Sequence, residues 1–436
     1  MSNELQAGAR RGQTLAEKLL SRAAGMTLYA GDLAICEPDA AMGTDGSIPM
    51  ALDYFHAMQE NAAEDRLPAP ARPERLVFAL DHYGAVSGAR AQALQARARD
   101  YAVAHGIGVF EVGEGIGHQL MLERGRVLPG QLAVGADSHA VSYGALNAFG
   151  TGIGSSDFAG ILQCGQIWLK VPGSIRVVLT GALPPHASAK DLALTMARTL
   201  GAGGANYLAL EFAGPGVAAL DMDDRIVLAN MSVEMGAKAG LFPYDSCTGA
   251  WLAARSDAPF APAAADADAV YARTLRFDLG AIVPQVALPH RVDNVVDLDA
   301  AGATRIDMVY LGTCTGGRTK DYREALDVLR AGGGVAPGVR LVVTPASAEV
   351  QAEMERSGML AEFYALGAEL QPPGCGSCCG TCGTVPADGE RVLSTANRNF
   401  KGRMGNRQAQ IFLASPRACA AAAVTGQLTD PREHTR

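Results

Sequence analysis

No apolar run in the 436 residues approaches the ~20 that cross a bilayer, so no membrane segment is expected. Met1-Ser2-Asn3-Glu4 lacks the basic stretch and apolar core of a signal peptide. Positive charge is in deficit: 37 Lys and Arg face 45 Asp and Glu, a net charge of -8, which argues against a nucleic-acid surface. There is no fixed-period repeat, no low-complexity tract and no G-x-S-x-G. The glycines between Phe149 and Ser155 read G-x-G-x-G, not G-x-G-x-x-G, so they fail the dinucleotide pattern and suit tight packing of turns. Asp137-Ser138-His139 is no hydrolase triad, because neighbours on an extended segment point to opposite faces. Loop staples are missing too. The nine cysteines are clustered, which points to a reducing, cytoplasmic compartment. What remains is ordinary globular composition, 48% hydrophobic and 19% charged, long enough for about two or three domains.

The chemistry is concentrated in a few places. Cys375, Cys378, Cys379 and Cys382 fall within eight residues, set among glycines. Cys314 lies far upstream in Gly312-Thr313-Cys314-Thr315-Gly316-Gly317-Arg318. One distant cysteine plus a C-x-x-C is the pattern of an iron–sulfur or soft-metal site with ligands from two loops. Zinc could use the same sulfurs. His82, His118 and His139 each sit beside an acid in a strand-end or glycine-rich context, which suits proton transfer near neutral pH. Arg398, Lys401 and Arg403 follow Ser394-Thr395 and read either as a solvated basic face or as a fork for carboxylates.

Hydrophobic spacing predicts helices over 13–24, 88–105 and 191–200, and one continuous helix over 224–240 that puts Asn230 and Glu234 on one face. Strands are expected at 76–80, 109–112, 132–134 and 174–180, with a surface loop over 66–74 and a linker over 283–295. The last third reads βαβα: strand 308–311, helix 322–330, strand 340–344, helix 348–357. Alternating strands and helices imply an α/β fold with parallel, doubly wound sheets. Asp81-His82 falls at the end of a predicted strand, where open parallel sheets place ligand-binding side chains.

In order from Gly12 to Pro416, the chain carries Asp81-His82, then Gly115 to Gln119, Pro129 to His139, Gly152 to Asp157 and Asn230 to Gly236. Gly312 to Arg318, Gly374 to Cys378 and Asn397 to Gly405 follow. Taken together these resemble the aconitase superfamily, and within it the large subunits of 3-isopropylmalate dehydratase and homoaconitase. The resemblance implies three domains, residues 1–171, 172–290 and 291–436, around a central cleft. Cys314, Cys375 and Cys378 would hold three irons of a [4Fe–4S] cluster, leaving the fourth iron for substrate. Asp81 with His82, Asp137 with His118, and Glu234 with His139 would form acid–histidine pairs, with His82 donating to a departing hydroxyl. Asn230 and Asn397 would contact the cluster. Ser138, Arg398 and Arg403, with Thr44 and Asp45, would bind substrate.

The chain departs from the family at several points. Thr44 stands where histidine or glutamine is usual, Ala140 replaces a threonine, and Gly316-Gly317 and Tyr83-Gly84-Ala85 differ from the common turns. Cys379 is read as packing against the cluster and Cys382 as structural. The swivelling domain with the serine base of full-length aconitases is expected on a separate small subunit, so this chain alone is expected to be inactive. The implied reaction is dehydration of a hydroxy di- or tricarboxylic acid. 3-Isopropylmalate, in leucine biosynthesis, comes first; homoaconitate or a substituted malate such as dimethylmalate comes second. A metal-binding scaffold without catalysis is the alternative of another class.

Overall fold

A computed structural model describes residues 11–59, 68–84 and 87–433. The expectations placed on Met1 to Glu4, on Arg66 and on Ala85 lie outside the described residues. The first sheet runs in the order Gly108–Phe110, Leu76–Ala79, Ala40–Thr44, Leu132–Gly135, Phe149–Gly152, and every pairing is parallel. Leu76–Ala79 and Leu132–Gly135 are buried at every position, as a parallel strand covered on both faces requires. The chain enters near the middle and winds outward both ways, so the strand order reverses between Ala40–Thr44 and Leu132–Gly135. Such reversals open a crevice at the carboxyl ends of the strands. Asp81-His82 and Asp137 lie just past two of those ends.

A second sheet, Ala239–Leu241, Leu208–Ala213, Gly173–Thr180, Arg273–Asp278, is also parallel throughout. The third has seven strands: Val295–Asp297, Gln285–Ala287, Gln410–Ala414, Arg391–Ser394, Met308–Leu311, Arg340–Val343, Ala368–Leu370. Its first two pairings are antiparallel and the rest parallel. Here the order reverses between Met308–Leu311 and Arg391–Ser394. Cys314 follows the first of these and Asn397-Arg398 the second. Leu33–Cys36 and Ile167–Lys170 form a separate antiparallel ribbon. Among the described residues, no helix is long and apolar enough to cross a membrane.

Two expectations are corrected. The helix expected over 224–240 is Met222–Met231, then a tight 3-10 turn Ser232–Met235, then the strand Ala239–Leu241. Gly236, at φ 88°, takes the left-handed conformation that ends the turn. Beyond it the apolar segment pairs with Leu208–Ala213, a partner that local periodicity cannot reveal. The linker expected over 283–295 contains Gln285–Ala287, which pairs with Val295–Asp297 and, over a long sequence gap, with Gln410–Ala414. The glycines of Phe149–Gly152 allow close approach of a neighbouring turn: a Cβ on Gly150 would meet Ala140 O at 2.5 Å, and one on Gly152 would meet Ser138 Cα at 2.8 Å.

Lys190 ties the second sheet's helix Ala189–Leu200 to the third sheet. Its amine donates to the carbonyls of Thr395 at 3.0 Å and Ala396 at 2.5 Å, just before Asn397. Burial lowers its pKa to about 8, against the weaker pull of Cys419 and Glu234. Between about 8 and the ordinary 10.5, the unfolded chain keeps a proton that the folded chain sheds. Folding therefore gains stability as pH rises through that window. Relative to Lys190→Met, wild-type stability is expected to rise by about 2 kcal/mol between pH ~7.5 and ~9.5 in urea unfolding. A flat difference would mean that the buried amine titrates as a free lysine does.

Candidate active site

Cys314 leaves the buried strand Met308–Leu311 through Gly312 and Thr313. Thr313 has φ 76°, a conformation rare for a β-branched residue, so its surroundings must impose the turn. Arg318, only 1% exposed, does so from beneath: it donates to the carbonyls of Cys314 at 2.8 Å and Thr315 at 2.5 Å. Gly312 N–H donates to Thr395 Oγ1 at 3.0 Å. A Cβ on Gly316 would meet Thr395 Cβ at 2.5 Å, so glycine there lets the two strand-end loops touch. Cys375 and Cys378 come from the loop after Ala368–Leu370, where the Tyr310 hydroxyl donates to the Cys375 carbonyl at 3.0 Å.

The three thiols share one buried cluster with Ile116 and Ala346. Amides of Asn230 and Asn397 donate to Cys314 Sγ at 3.2 and 3.4 Å, and Arg403 donates to Cys378 Sγ at 3.1 Å. Burial pushes the Cys314 thiol up to about 12 and Cys375 well above the ordinary range, so bare thiols would keep their protons. Donors aimed at sulfur suit thiolates, the form a coordinated metal enforces. Zinc would draw its sulfurs to about 4 Å apart, given bonds of about 2.3 Å. Among the described residues, the sets whose ligand atoms all lie within 4.8 Å are Asp81, His82, Cys375 and His118, Asp137, His139; the three cysteines are not such a set. Their wider spacing fits a [4Fe–4S] cluster, whose ligands sit at the corners of a larger body.

These sulfurs share a cavity of about 50 Å³ with His82, His118, Asp137, His139, Arg398 and Arg403. All three acid–histidine pairs form. His82 Nδ1 lies 2.7 Å from Asp81, His118 Nε2 2.7 Å from Asp137, and His139 Nε2 3.0 Å from Glu234. Asp137 is shared more widely, reaching His139 Nδ1 at 3.3 Å and His82 Nε2 at 3.7 Å. Burial would raise its pKa, but the two hydrogen-bonded histidines outweigh burial and hold it well below the usual carboxylate range. For His82 burial works against the charged ring. Asp81, then Asp137 and Cys379, overcome it and raise the pKa well above the ordinary value. Burial likewise raises Glu234, and His139 and Arg398 bring it below its usual range.

Arg398 Nε donates to Glu234 at 2.8 Å, and its Nη2 donates to Ser138 Oγ at 2.9 Å. Arg403 lines the cavity with a buried Nε that has no partner, a vacancy an anionic ligand can fill. Asn230, besides holding Cys314, accepts from Asn397 Nδ2 at 3.1 Å and from Thr315 Oγ1 at 3.0 Å. Thr44 and Asp45 are not brought into the cavity. Asp45 is fully buried and accepts from the backbone N–H groups of His82 and Tyr83 and from Gln95. Thr44 is buried against Ser47. Asp45 thereby holds the His82 turn in place.

Tyr143, Thr315 and Gln95 escaped sequence reasoning. The Tyr143 hydroxyl lies 3.2 Å from His118 Nδ1. It reaches there from the 3-10 segment Ser138–Leu146, where no motif marks it. Thr315 stood inside the Cys314 motif and was legible as a neighbour, though not as a partner of Asn230. Cys379 lines the cavity, and a hydrogen bond with Cys382, ahead of opposing burial and the charge of His82, lowers its pKa to about 5.

The family model described as the aconitase family (aconitate hydratase) matches residues 17–426. The 3-isopropylmalate dehydratase large subunit 1 of Thermotoga maritima is 43% identical, over 97% of this chain and 99% of that protein. The homoaconitase large subunit of Thermus thermophilus is 44% identical, over 97% and 98%. The 3-isopropylmalate dehydratase large subunit 1 of Methanopyrus kandleri is 40% identical, over 97% and 100%. The match takes in every element that carries the cavity, and the chain belongs to the aconitase family.

Proposed function

We propose that this chain is the large, cluster-bearing subunit of a cytoplasmic [4Fe–4S] hydro-lyase that takes water from a hydroxy dicarboxylic acid and returns it, with 3-isopropylmalate as substrate. The observation that carries this reading is one cavity holding three buried thiols, the His82–Asp81 pair and two guanidinium groups. Homoaconitate is the second reading, favoured by the homoaconitase relative, which is as similar as the isopropylmalate dehydratases. The three sheets are taken to mark three domains, residues 1–171, 172–290 and 291–436, that meet at the cavity.

The cluster, when bound, supplies an open Lewis-acid corner that weakens the substrate's carbon–oxygen bond. Cys314, Cys375 and Cys378 would hold it, and Asn230, Asn397 and Arg403 would steady the sulfurs. Arg398, Arg403 and Ser138 bind the substrate carboxylates, so the hydroxyl is presented in one orientation. His82, kept charged by Asp81 and Asp137, gives its Nε2 proton to the departing oxygen, which leaves as water. His118 and His139 hold Asp137 ionised beside it. A base then takes the proton from the adjacent carbon and the alkene forms. Asp81, Asp137 and Glu234 are each engaged by a histidine. We therefore assign that base to a separate small subunit, the counterpart that the relatives' name "large subunit" implies.

Anaerobically isolated protein is expected to be brown, with broad absorbance near ~400 nm. Cys378→Ser should lose that absorbance and all turnover while keeping its circular dichroism; full activity in the variant would remove the assignment. The chain alone should show no steady turnover on a panel of hydroxy acids, and adding the small-subunit chain encoded in the same genome should restore it, fastest on 3-isopropylmalate. Turnover without that subunit would refute the division of labour. With the cluster retained, His82→Asn should lower kcat by about 10²–10⁴-fold with KM little changed. An unchanged kcat would take the proton donation away from His82.

A further inference from the structure

We propose that the small subunit docks on the outward face of the ribbon Leu33–Cys36/Ile167–Lys170, an inference that rests on the two-subunit reading above. The ribbon's inward residues Ala34, Cys36, Ile167 and Leu169 pack on the core. An outward face on water is normally polar. Here Leu33, Ile35 and Trp168 occupy three of its four positions, 68%, 63% and 64% exposed. They are neighbours: Ile35 lies opposite Trp168, and Leu33 lies opposite Lys170. One exposed leucine is unremarkable, but a contiguous apolar patch centred on tryptophan is the usual anchor of a protein interface.

The groove beside the patch identifies the occupant. A cavity of about 490 Å³ is lined by Trp168 and Leu169 of the ribbon and also by Ser138. Ser138 accepts from Arg398, which lines the catalytic cavity, so the groove borders the active site. A chain seated on the ribbon can therefore lay a segment along the groove to the cavity that lacks its carbon base. A second copy of this chain would cover the ribbon without supplying one. Lys170 and Lys238 flank the Tyr207 ring, at 5.9 and 5.5 Å from its centre, and Asp157 is the single carboxylate in the lining. The matching surface is thus apolar at its centre and acidic at its edge.

Trp168 is one of only two tryptophans, so it can report its own burial. In a Trp251→Phe background, titration with the small-subunit chain encoded in the same genome should shift Trp168 emission to the blue and saturate at equal stoichiometry. Ile35→Glu and Trp168→Glu should each weaken that association by about tenfold or more. Their unfolding midpoints and cluster absorbance should stay those of wild type. Failure of wild type to bind the small subunit would overturn the two-subunit reading and this surface with it. Binding with unmoved Trp168 emission and undiminished affinity in both variants would overturn the surface alone. Loss of self-association with subunit affinity unchanged would make the ribbon a contact between copies of this chain and would also overturn the proposal.

Discussion

Burying a thiol favours the proton on its sulfur, and this chain buries three of them in one cavity. Most of the surrounding structure answers that constraint. Cys314 is placed by a strained turn that Arg318 clamps and Thr395 supports. Its sulfur faces two side-chain amides, while Cys378 faces a guanidinium. None of these groups can neutralise three thiolates by itself. A metal body bearing positive charge can, and the three sulfurs are not among the sets whose ligand atoms all lie within 4.8 Å of one another. The same geometry leaves the remaining side of the cavity to histidines and arginines, with no fourth thiol required.

Those polar groups are arranged around one carboxylate. Asp137 reaches three histidines, and its low pKa is the counterpart of the charge held on His82. A charge network of this kind is worth more inside a protein than on its surface, because little water screens it. It also has a directional consequence. Both ring nitrogens are engaged in His118, by Tyr143 and Asp137, and in His139, by Glu234 and Asp137, whereas His82 is partly exposed, with Nδ1 on Asp81 and Nε2 3.7 Å from Asp137. His82 is the ring on which the proposed proton donation rests. Asp45, fully buried, contributes by gripping the backbone of the His82 turn and needs no contact with substrate.

Much of this was legible in the amino-acid order, and the exceptions share a cause. The Cys314 loop, Asp81-His82 and Asp137 to His139 follow buried strands whose composition marks them, and strand ends in doubly wound sheets are where chemistry gathers. The break after Met231 was not legible, because the segment that follows becomes strand only by pairing with Leu208–Ala213. Gln285–Ala287 was hidden among prolines for the same reason: its partner is Gln410–Ala414. The break falls between Asn230, bonded to Cys314, and Glu234, bonded to His139. Thr44 and Asp45 do not line the catalytic cavity, because proximity along a strand does not say which side of the next turn a side chain will support.

The departures from the family pattern take on a different meaning once they are placed. Gly316 faces Thr395 and Ala140 faces Gly135 and Gly150, each at distances that leave no room for a larger neighbour. Thr44 packs on Ser47, and Tyr83 gives its N–H to Asp45. None of these positions is among the residues lining the catalytic cavity. They adjust how the loops stack on one another and leave the reacting groups unchanged. The described walls of that cavity are sulfur, histidine, arginine and the Asp137 carboxylate, with Ile116 and Thr313 the other lining residues. Such walls recognise a hydroxy diacid but do little to choose among its side chains. That choice falls to the open side of the cavity, and the groove from Ser138 to the apolar ribbon gives a second chain the means to close it.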